Sequence, residues 1–278
     1  MKETNNIKDI RVALISPRAV ASKKMIRRVQ PPLGLCCIAA GLRENGFKNL
    51  LIYDTLIEDY EDVRKLENNE EMITYGASDQ KILEKLKEFK PHVVGVSSLF
   101  SSQVSQAYAV ARTVKKYDKN IAVVFGGIHA SDKPEEVLND EKCVDYVMRG
   151  EGDYTWSIFL ESLFVKKNLD KTPGLVQRDN QKFIKNPMAP LIHDMDALPI
   201  PAWDLVPMEK YFEIAMYHNP YVKSGRVGCI MTSRGCPDKC YFCSSTVFFG
   251  HKFRQMSPER VGEMVDYLVD KFKIKELQ

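Results

Sequence analysis

Apolar residues along this chain fall into two alternating patterns. Short runs, apolar at consecutive positions, occur at residues 11–17 (RVALISP), 49–54 (NLLIYD), 92–98 (HVVGVSS), 121–127 (IAVVFGG) and 144–152 (VDYVMRGEG). Between and after them lie stretches with helical spacing, at 33–46, 79–90, 102–117, a short 134–138 and 154–164. In 79–90, Ile82, Leu83, Leu86 and Phe89 recur at helical intervals and Pro91 ends the pattern. Gly46 is placed to stop the first helix. Strands that are apolar on both faces belong in a parallel sheet covered on two sides. Five such strand–helix units predict an α/β domain over residues 1–164, built on a flavodoxin-like, doubly wound parallel sheet.

Ligands of such sheets sit beyond the carboxyl ends of the strands, near the switch in strand order. The residues at those ends are therefore the candidates for binding. Ser16 and Pro17 follow the first strand and lead into a basic loop, 18–30. Ser97, Ser98 and Leu99 follow the third, Gly126, Gly127 and His129 the fourth, and Gly150 and Glu151 the fifth. Small residues and hydroxyls there permit close approach of a polar ligand to the backbone. His129 reads either as a ligand contact or as a surface residue after a glycine turn.

Residues 165–225 change character. Half of the 14 prolines fall there, and proline is excluded from helix interiors and central strands. A hairpin is predicted at 174–187 with Asp179 and Asn180 in its turn. Residues 197–212 read as an extended connector whose Trp203 and Phe212 pack on a neighbouring domain. Such large apolar residues argue for a structured linker.

The third region, 226–278, carries the sharpest signal. An apolar strand at 227–232 runs into Gly235, Cys236, Pro237, Asp238, Lys239, Cys240, Tyr241, Phe242 and Cys243, a C-x3-C-x2-C spacing. Three thiols on one irregular loop can converge on the corners of an iron–sulfur cube. A zinc site commonly takes four ligands in two pairs. Cys229 and His251 are the candidates for a fourth ligand, the one also explained as facing the core and the other as exposed. Cys36, Cys37 and Cys143 read as buried structural residues. Ser257 and Pro258 open an amphipathic helix, and 273–278 looks like the next strand. This is the rhythm of a β/α barrel, which one unit does not close. The apolar faces of that strand and helix are expected to lack partners, and the chain as it stands is expected to be a piece of a longer protein, without turnover alone.

Composition narrows the picture further. A net charge of +3 gives no case for nucleic acid or a membrane surface as partner. The opening MKETNNIKDI lacks the apolar core of a secretory signal, and no apolar run approaches the ~18 residues of a membrane span. A cytoplasmic protein is expected, its seven cysteines not forming a disulfide framework.

Three resemblances follow from these residues. The Ser97-Ser98-Leu99 and Gly126-Gly127 elements resemble the cobalamin-binding fold, whose members carry S-x-L after the third strand and G-G after the fourth. The third family element, D-x-H-x-x-G after the first strand, is missing, since 18–30 contains neither Asp nor His. That implies cobalamin held without a histidine from this loop, or an α/β domain that covers the barrel and binds no cobalamin. The cysteine motif resembles the radical S-adenosylmethionine (SAM) family. The resemblance implies that Cys236, Cys240 and Cys243 hold a [4Fe–4S] cluster whose fourth iron is chelated by SAM, with Phe242 near the adenine. The P-x-P-A-W-D stretch at 199–204 resembles the connector of radical SAM proteins that carry a cobalamin domain. Membership of that family implies radical methyl transfer or ring formation on a small molecule, with an electron from a donor such as a flavodoxin or ferredoxin. The runner-up is a truncated cobalamin- or metal-binding module without activity.

Overall fold

The computed structural model describes residues 7–66, 69–180, 182–219 and 221–278. The first six residues, Gln181 of the hairpin and Pro220 of the linker lie outside the described residues.

Strands and helices alternate through the first part of the chain. In order they are β1 (Val12–Ser16), β2 (Ala19–Ser22), α1 (Leu33–Glu44), β3 (Leu50–Asp54), α2 (Thr55–Glu58), β4 (Val63–Leu66), β5 (Asn69–Tyr75), α3 (Asp79–Phe89), β6 (Val93–Ser97) and α4 (Val104–Tyr117). They continue with β7 (Ala122–Gly126), α5 (Ile128–Asp132), α6 (Pro134–Asp140), β8 (Tyr146–Met148) and α7 (Thr155–Glu161). The hairpin is β9 (Leu175–Asp179) and β10 (Lys182–Lys185). Then come α8 (Met208–Ile214), β11 (Val227–Gly228), β12 (Ser233–Arg234), α9 (Ser245–Phe249), β13 (Arg254–Gln255), α10 (Pro258–Phe272) and β14 (Glu276–Leu277).

The main sheet runs β10-β9-β8-β7-β6-β1-β3. Its five parallel strands, counted in chain order, stand as 2-1-3-4-5, the flavodoxin-like order with its switch between β1 and β6. The fold class expected from the sequence is therefore the one observed. Alternate residues of each strand feed two cores. Val12, Leu14, Ile52 and Val93 face α1, α7 and the connector. Ala13, Ile15, Val94, Val96 and Phe125 face α3, α4 and α6. Within β6 the apolar side chains give way to Gly95, because a Cβ there would lie 2.6 Å from the Trp156 ring.

Five details differ from the sequence reading. The loop 18–30 begins with a strand, since β2 pairs antiparallel with β5, and β5 with β4, in a small separate sheet. Most positions of these strands are half-buried or exposed, and they lack the long apolar runs that mark the main sheet. A short helix, α5, follows Gly127, where only a turn was expected. The fifth strand is confined to Tyr146–Met148, because Gly150 takes a left-handed φ of 79°. The hairpin pairs β9 antiparallel with β8, so it extends the main sheet. The strand at 227–232 forms only at Val227–Gly228; the chain then turns away to pair Ser233–Arg234 with β13.

The last region carries two further small sheets, β11-β14 and β12-β13. β11, α10 and β14 make one parallel β-α-β unit. Ser257 caps α10, its side chain accepting from the Arg260 N–H at 3.1 Å. The face of α10 has partners: Met264 and Leu268 are buried, and Tyr267 stacks on the fully buried Trp203. Phe212 of α8 is buried as well, with the Arg226 guanidinium over its ring.

Candidate cofactor site

The carboxyl ends of β1, β6, β7 and β8 lie side by side, and the sequence-selected residues lie on them. Ser98 is held by its N–H on the Gly126 carbonyl (2.7 Å), and its own carbonyl accepts from the His129 N–H (3.1 Å). Gly127 makes this approach possible. It has a φ of 106°, and a Cβ would sit 2.7 Å from the Ser98 oxygen. Gly150 donates its N–H to Ser131 Oγ at 3.0 Å. Ser16 and Pro17 are half-buried at the end of β1, where the Ser16 carbonyl accepts from Thr55 Oγ1 at 2.9 Å. Ser97 is half-buried, and Leu99 and Phe100 are exposed beyond it.

His129 is not the surface residue that a glycine turn suggests. It is 5% exposed, with Nδ1 2.8 Å from Ser101 Oγ. Burial holds its pKa below the usual histidine value, so the neutral ring dominates at neutral pH. Its Nε2 and the Ser98 hydroxyl are buried with no hydrogen-bond partner among the described residues. Unpaired buried polar atoms are costly in protein interiors. Two of them beside a glycine cradle, at the carboxyl end of the sheet, fit a site that receives polar groups of a ligand. The other half of the family pattern is absent. Arg18, first residue of the 18–30 segment, pairs with Asp79 at 2.6 Å, and no histidine from that segment reaches the site.

Glu151 has a different environment. Its carboxylate is buried and ion-paired with Arg254 at 2.9 Å. Asp153 makes a two-point contact with Arg234 at 2.8 and 2.9 Å. Burial opposes the charge of Arg234, but the hydrogen bonds and charge of Asp153 outweigh it and raise the guanidinium pKa. These arginines flank the cysteine loop, and the sequence reading did not single them out. The signal was there in two forms: an arginine directly before Gly235-Cys236, and two acids separated by one glycine after β8.

The cysteines occupy an irregular loop between β12 and α9. Gly235 has a φ of 85°, and a Cβ there would lie 2.2 Å from the Lys252 carbonyl. The Cys236 N–H donates to the Gly250 carbonyl at 3.3 Å, and the Cys243 N–H to the Cys240 carbonyl at 3.1 Å. All seven cysteines are free thiols; Cys240 is exposed, Cys236 and Cys243 half-buried. The loop gathers the three in sequence without closing their side chains into a ligand set. Among the described residues, no three His, Cys, Asp or Glu side chains converge as a metal-holding group. The donor set nevertheless fits an iron–sulfur cluster: three free thiols on one loop that regular structure does not lock. Tyr241 and Phe242 are exposed, Phe242 at 90%. His251 is exposed too. Cys229 is half-buried and takes a hydrogen bond from Gln30 Nε2 at 2.8 Å. Cys36 is buried as expected, whereas Cys37 and Cys143 are only half-buried.

The cysteine loop lies against the sheet end. α9, directly after Cys243, packs beside α5, which carries His129. Both candidate sites therefore belong to one neighbourhood.

Comparisons with known proteins fit this picture. The family model for the B12 binding domain matches residues 25–160. The chain is 33% identical to the cytidylyl-2-hydroxyethylphosphonate methyltransferase of Streptomyces wedmorensis, over 96% of this chain and 53% of that protein. It is 34% identical to an uncharacterized methyltransferase of Pyrococcus horikoshii, over 95% of this chain and 51% of that one. The chain thus spans about half the length of the curated relatives it matches. The fold is similar, with a TM-score of 0.72 at 17% identity, to that of the cobalamin-dependent S-adenosylmethionine radical enzyme OxsB, over 97% of this chain and 33% of that one. With its 2-1-3-4-5 sheet and the match over residues 25–160, the chain carries a B12 binding domain.

Proposed function

We propose that this chain holds the two cofactor sites of a radical SAM methyl-transferring enzyme. The carboxyl ends of β1, β6 and β7 take cobalamin, and Cys236, Cys240 and Cys243 take a [4Fe–4S] cluster that receives SAM. The observation that carries this reading is the packing of α9 on α5, which sets the cysteine loop beside the cradle of Ser98, Gly127 and His129. When bound, the cluster supplies one electron for cleaving SAM, and the corrin supplies a carrier for a methyl group.

The chain's own residues have separable tasks. Gly126 and Gly127 let the ligand approach the backbone, while Ser98 Oγ and His129 Nε2 offer it hydrogen bonds. Ser16, Pro17, Ser97, Leu99 and Gly150 line the neighbouring strand ends. The three thiols bind iron and leave one iron open. Phe242, exposed in that loop, is the residue proposed to cover the adenine. The methyltransferase relatives favour methyl transfer over ring formation. The small-molecule substrate and an electron donor such as a flavodoxin or ferredoxin complete the proposed reaction.

One observation favours a second reading, in which the α/β domain binds no corrin: segment 18–30 supplies no histidine. Anaerobic reconstitution with iron, sulfide and hydroxocobalamin separates the two readings. About four irons and one cobalt per chain, with iron lost in Cys243→Ala and cobalt retained, is the expected result. Iron without cobalt establishes the second reading. Neither metal bound refutes both.

A further inference from the structure

Arg234 on β12 and Arg254 on β13 stand directly opposite each other in the antiparallel register. Like charges so placed repel, and both residues are buried, which strengthens the repulsion. Two carboxylates from another part of the fold hold them together. Asp153 grips Arg234 at 2.8 and 2.9 Å. Glu151 grips Arg254, with Arg254 Nη1 2.9 Å from Oε2 and Nη2 2.9 Å from Oε1. Arg234 Nη1 also lies 3.4 Å from Glu151 Oε1, so the four charges form one neutral network. Backbone groups add further contacts: Glu151 accepts from the Ile192 N–H at 2.9 Å, and Arg254 donates to the carbonyls of Ile192 (2.6 Å) and Phe249 (2.9 Å), while Glu151 Oε1 and the Nε atoms of both arginines have no hydrogen-bond partner among the described residues.

The location of this network gives it meaning. Glu151 and Asp153 follow β8, at the carboxyl end of the sheet. Their loop is pinned to α1, where a Cβ on Gly41 would lie 1.9 Å from the Asp153 carbonyl. The chain enters the cysteine loop immediately after Arg234 and leaves it at Arg254. Buried charge networks are commonly no more stabilising than apolar packing, and they act instead by specifying one arrangement.

We propose that Glu151, Asp153, Arg234 and Arg254 are positioning residues that lock the base of the cysteine loop to the carboxyl end of the sheet, and so fix the cluster site relative to the cobalamin site. This rests on the two-cofactor reading above. The two-point hydrogen-bonded contact of Asp153 with Arg234, and the hydrogen bond plus close ion pair of Glu151 with Arg254, fix orientation as well as distance, which a single ammonium–carboxylate contact cannot do.

The test uses the whole chain with Arg234→Lys and Arg254→Lys, which keep the charge and remove the fork. Glu151→Asp, which shortens the reach, serves where a lysine variant does not fold. The first readout needs no cofactor: hydrogen exchange of residues 235–253 against β6 and β7. An increase of about tenfold or more, confined to the loop, is expected. An unchanged loop overturns the clamp. The second readout is magnetic: broadening of the cob(II)alamin spectrum by the reduced cluster after anaerobic reconstitution. Iron and cobalt contents equal to the parent chain, with the broadening altered, are expected. A loosened loop with unaltered broadening overturns the positioning role and leaves a network that serves the fold alone. A parent chain lacking iron or cobalt refutes the two-cofactor reading, and the positioning role with it, while the exchange readout still decides whether the clamp exists.

Discussion

Tyr211 donates its hydroxyl proton to Asp54 Oδ2 across 2.6 Å, and both residues are buried. The bond joins α8 of the connector to the carboxyl end of β3, beside the switch point of the sheet. Asp54 also accepts from the Leu56 N–H at 3.1 Å, capping α2. One carboxylate thus ties the linker to the cofactor end of the α/β domain.

Its protonation makes stability depend on pH. Burial pushes the Asp54 pKa up to about 6, and the bonds from Tyr211 and Leu56 only partly offset it. Because the folded-state pKa exceeds the unfolded value, the folded chain binds the proton more tightly. That contribution is fully present below the unfolded pKa and is lost as pH rises through about 6. A shift of about two units corresponds to roughly 3 kcal/mol. Urea unfolding from about pH 4 to 7.5 should show stability falling through this window, and Asp54→Asn should flatten that part of the profile. An equally steep profile in the variant assigns the dependence to other groups.

The buried arginines make a second prediction. Arg254 has a side chain 2% exposed and Glu151 one 4% exposed. Arg254→Met leaves the buried network of Glu151, Asp153 and Arg234 with one uncompensated negative charge and is expected to lose about 3–5 kcal/mol. Arg254→Met with Glu151→Gln removes both charges and is expected to recover most of that loss. Denaturant midpoints of the two variants check this double-mutant logic. A double variant as unstable as the single one refutes it.

These two relationships also show which features are legible in a sequence. The five parallel strands could be read because burial on both faces leaves consecutive apolar residues, as in Val93–Ser97. The cysteine motif could be read because its chemistry is local. Arg234 and Asp153 lie 81 positions apart, and Arg254 and Glu151 lie 103 apart. Nothing local to either member of a pair names its partner. His129 was legible as a candidate and not as a buried residue, because its burial comes from the short helix α5 and its neighbours, not from a periodic pattern. The β2-β5-β4 sheet escaped notice for a related reason. Glu70 and Glu71 sit on exposed strand positions, where a polar residue does not signal a strand.

Gly127 and Gly34 should respond oppositely to alanine. At Gly127, a left-handed φ and a Cβ 2.7 Å from the Ser98 carbonyl combine strain with a clash. Gly127→Ala is expected to cost about 1–3 kcal/mol and to weaken corrin binding in a spectrophotometric titration. Gly34 lies in α1 with nothing within 4 Å of its Cβ position. There alanine is expected to stabilise by about 0.5–1 kcal/mol and to leave the titration unchanged. Equal effects at the two positions would exclude the cradle as the reason for Gly127.

The seven cysteines should separate into two classes when replaced by alanine one at a time. Cys236, Cys240 and Cys243 stand on an irregular loop, exposed or half-buried, and none lies among the residues of the core. Their replacement should remove bound iron from the reconstituted chain while the urea midpoint moves by less than about 0.5 kcal/mol equivalent. Cys36 lies in the core on α1, where burial raises its thiol pKa well above the usual value. A thiol that resists ionisation is a poor metal ligand, because the thiolate is the binding form. Cys36→Ala should therefore retain iron and lose about 1 kcal/mol through the cavity it leaves. Cys229 decides between cluster and zinc chemistry. It accepts a hydrogen bond from Gln30, and burial raises its pKa as well, so Cys229→Ala is expected to retain iron. Loss of metal in Cys229→Ala, with zinc in place of iron in the parent chain, would instead make it the fourth ligand of a zinc site.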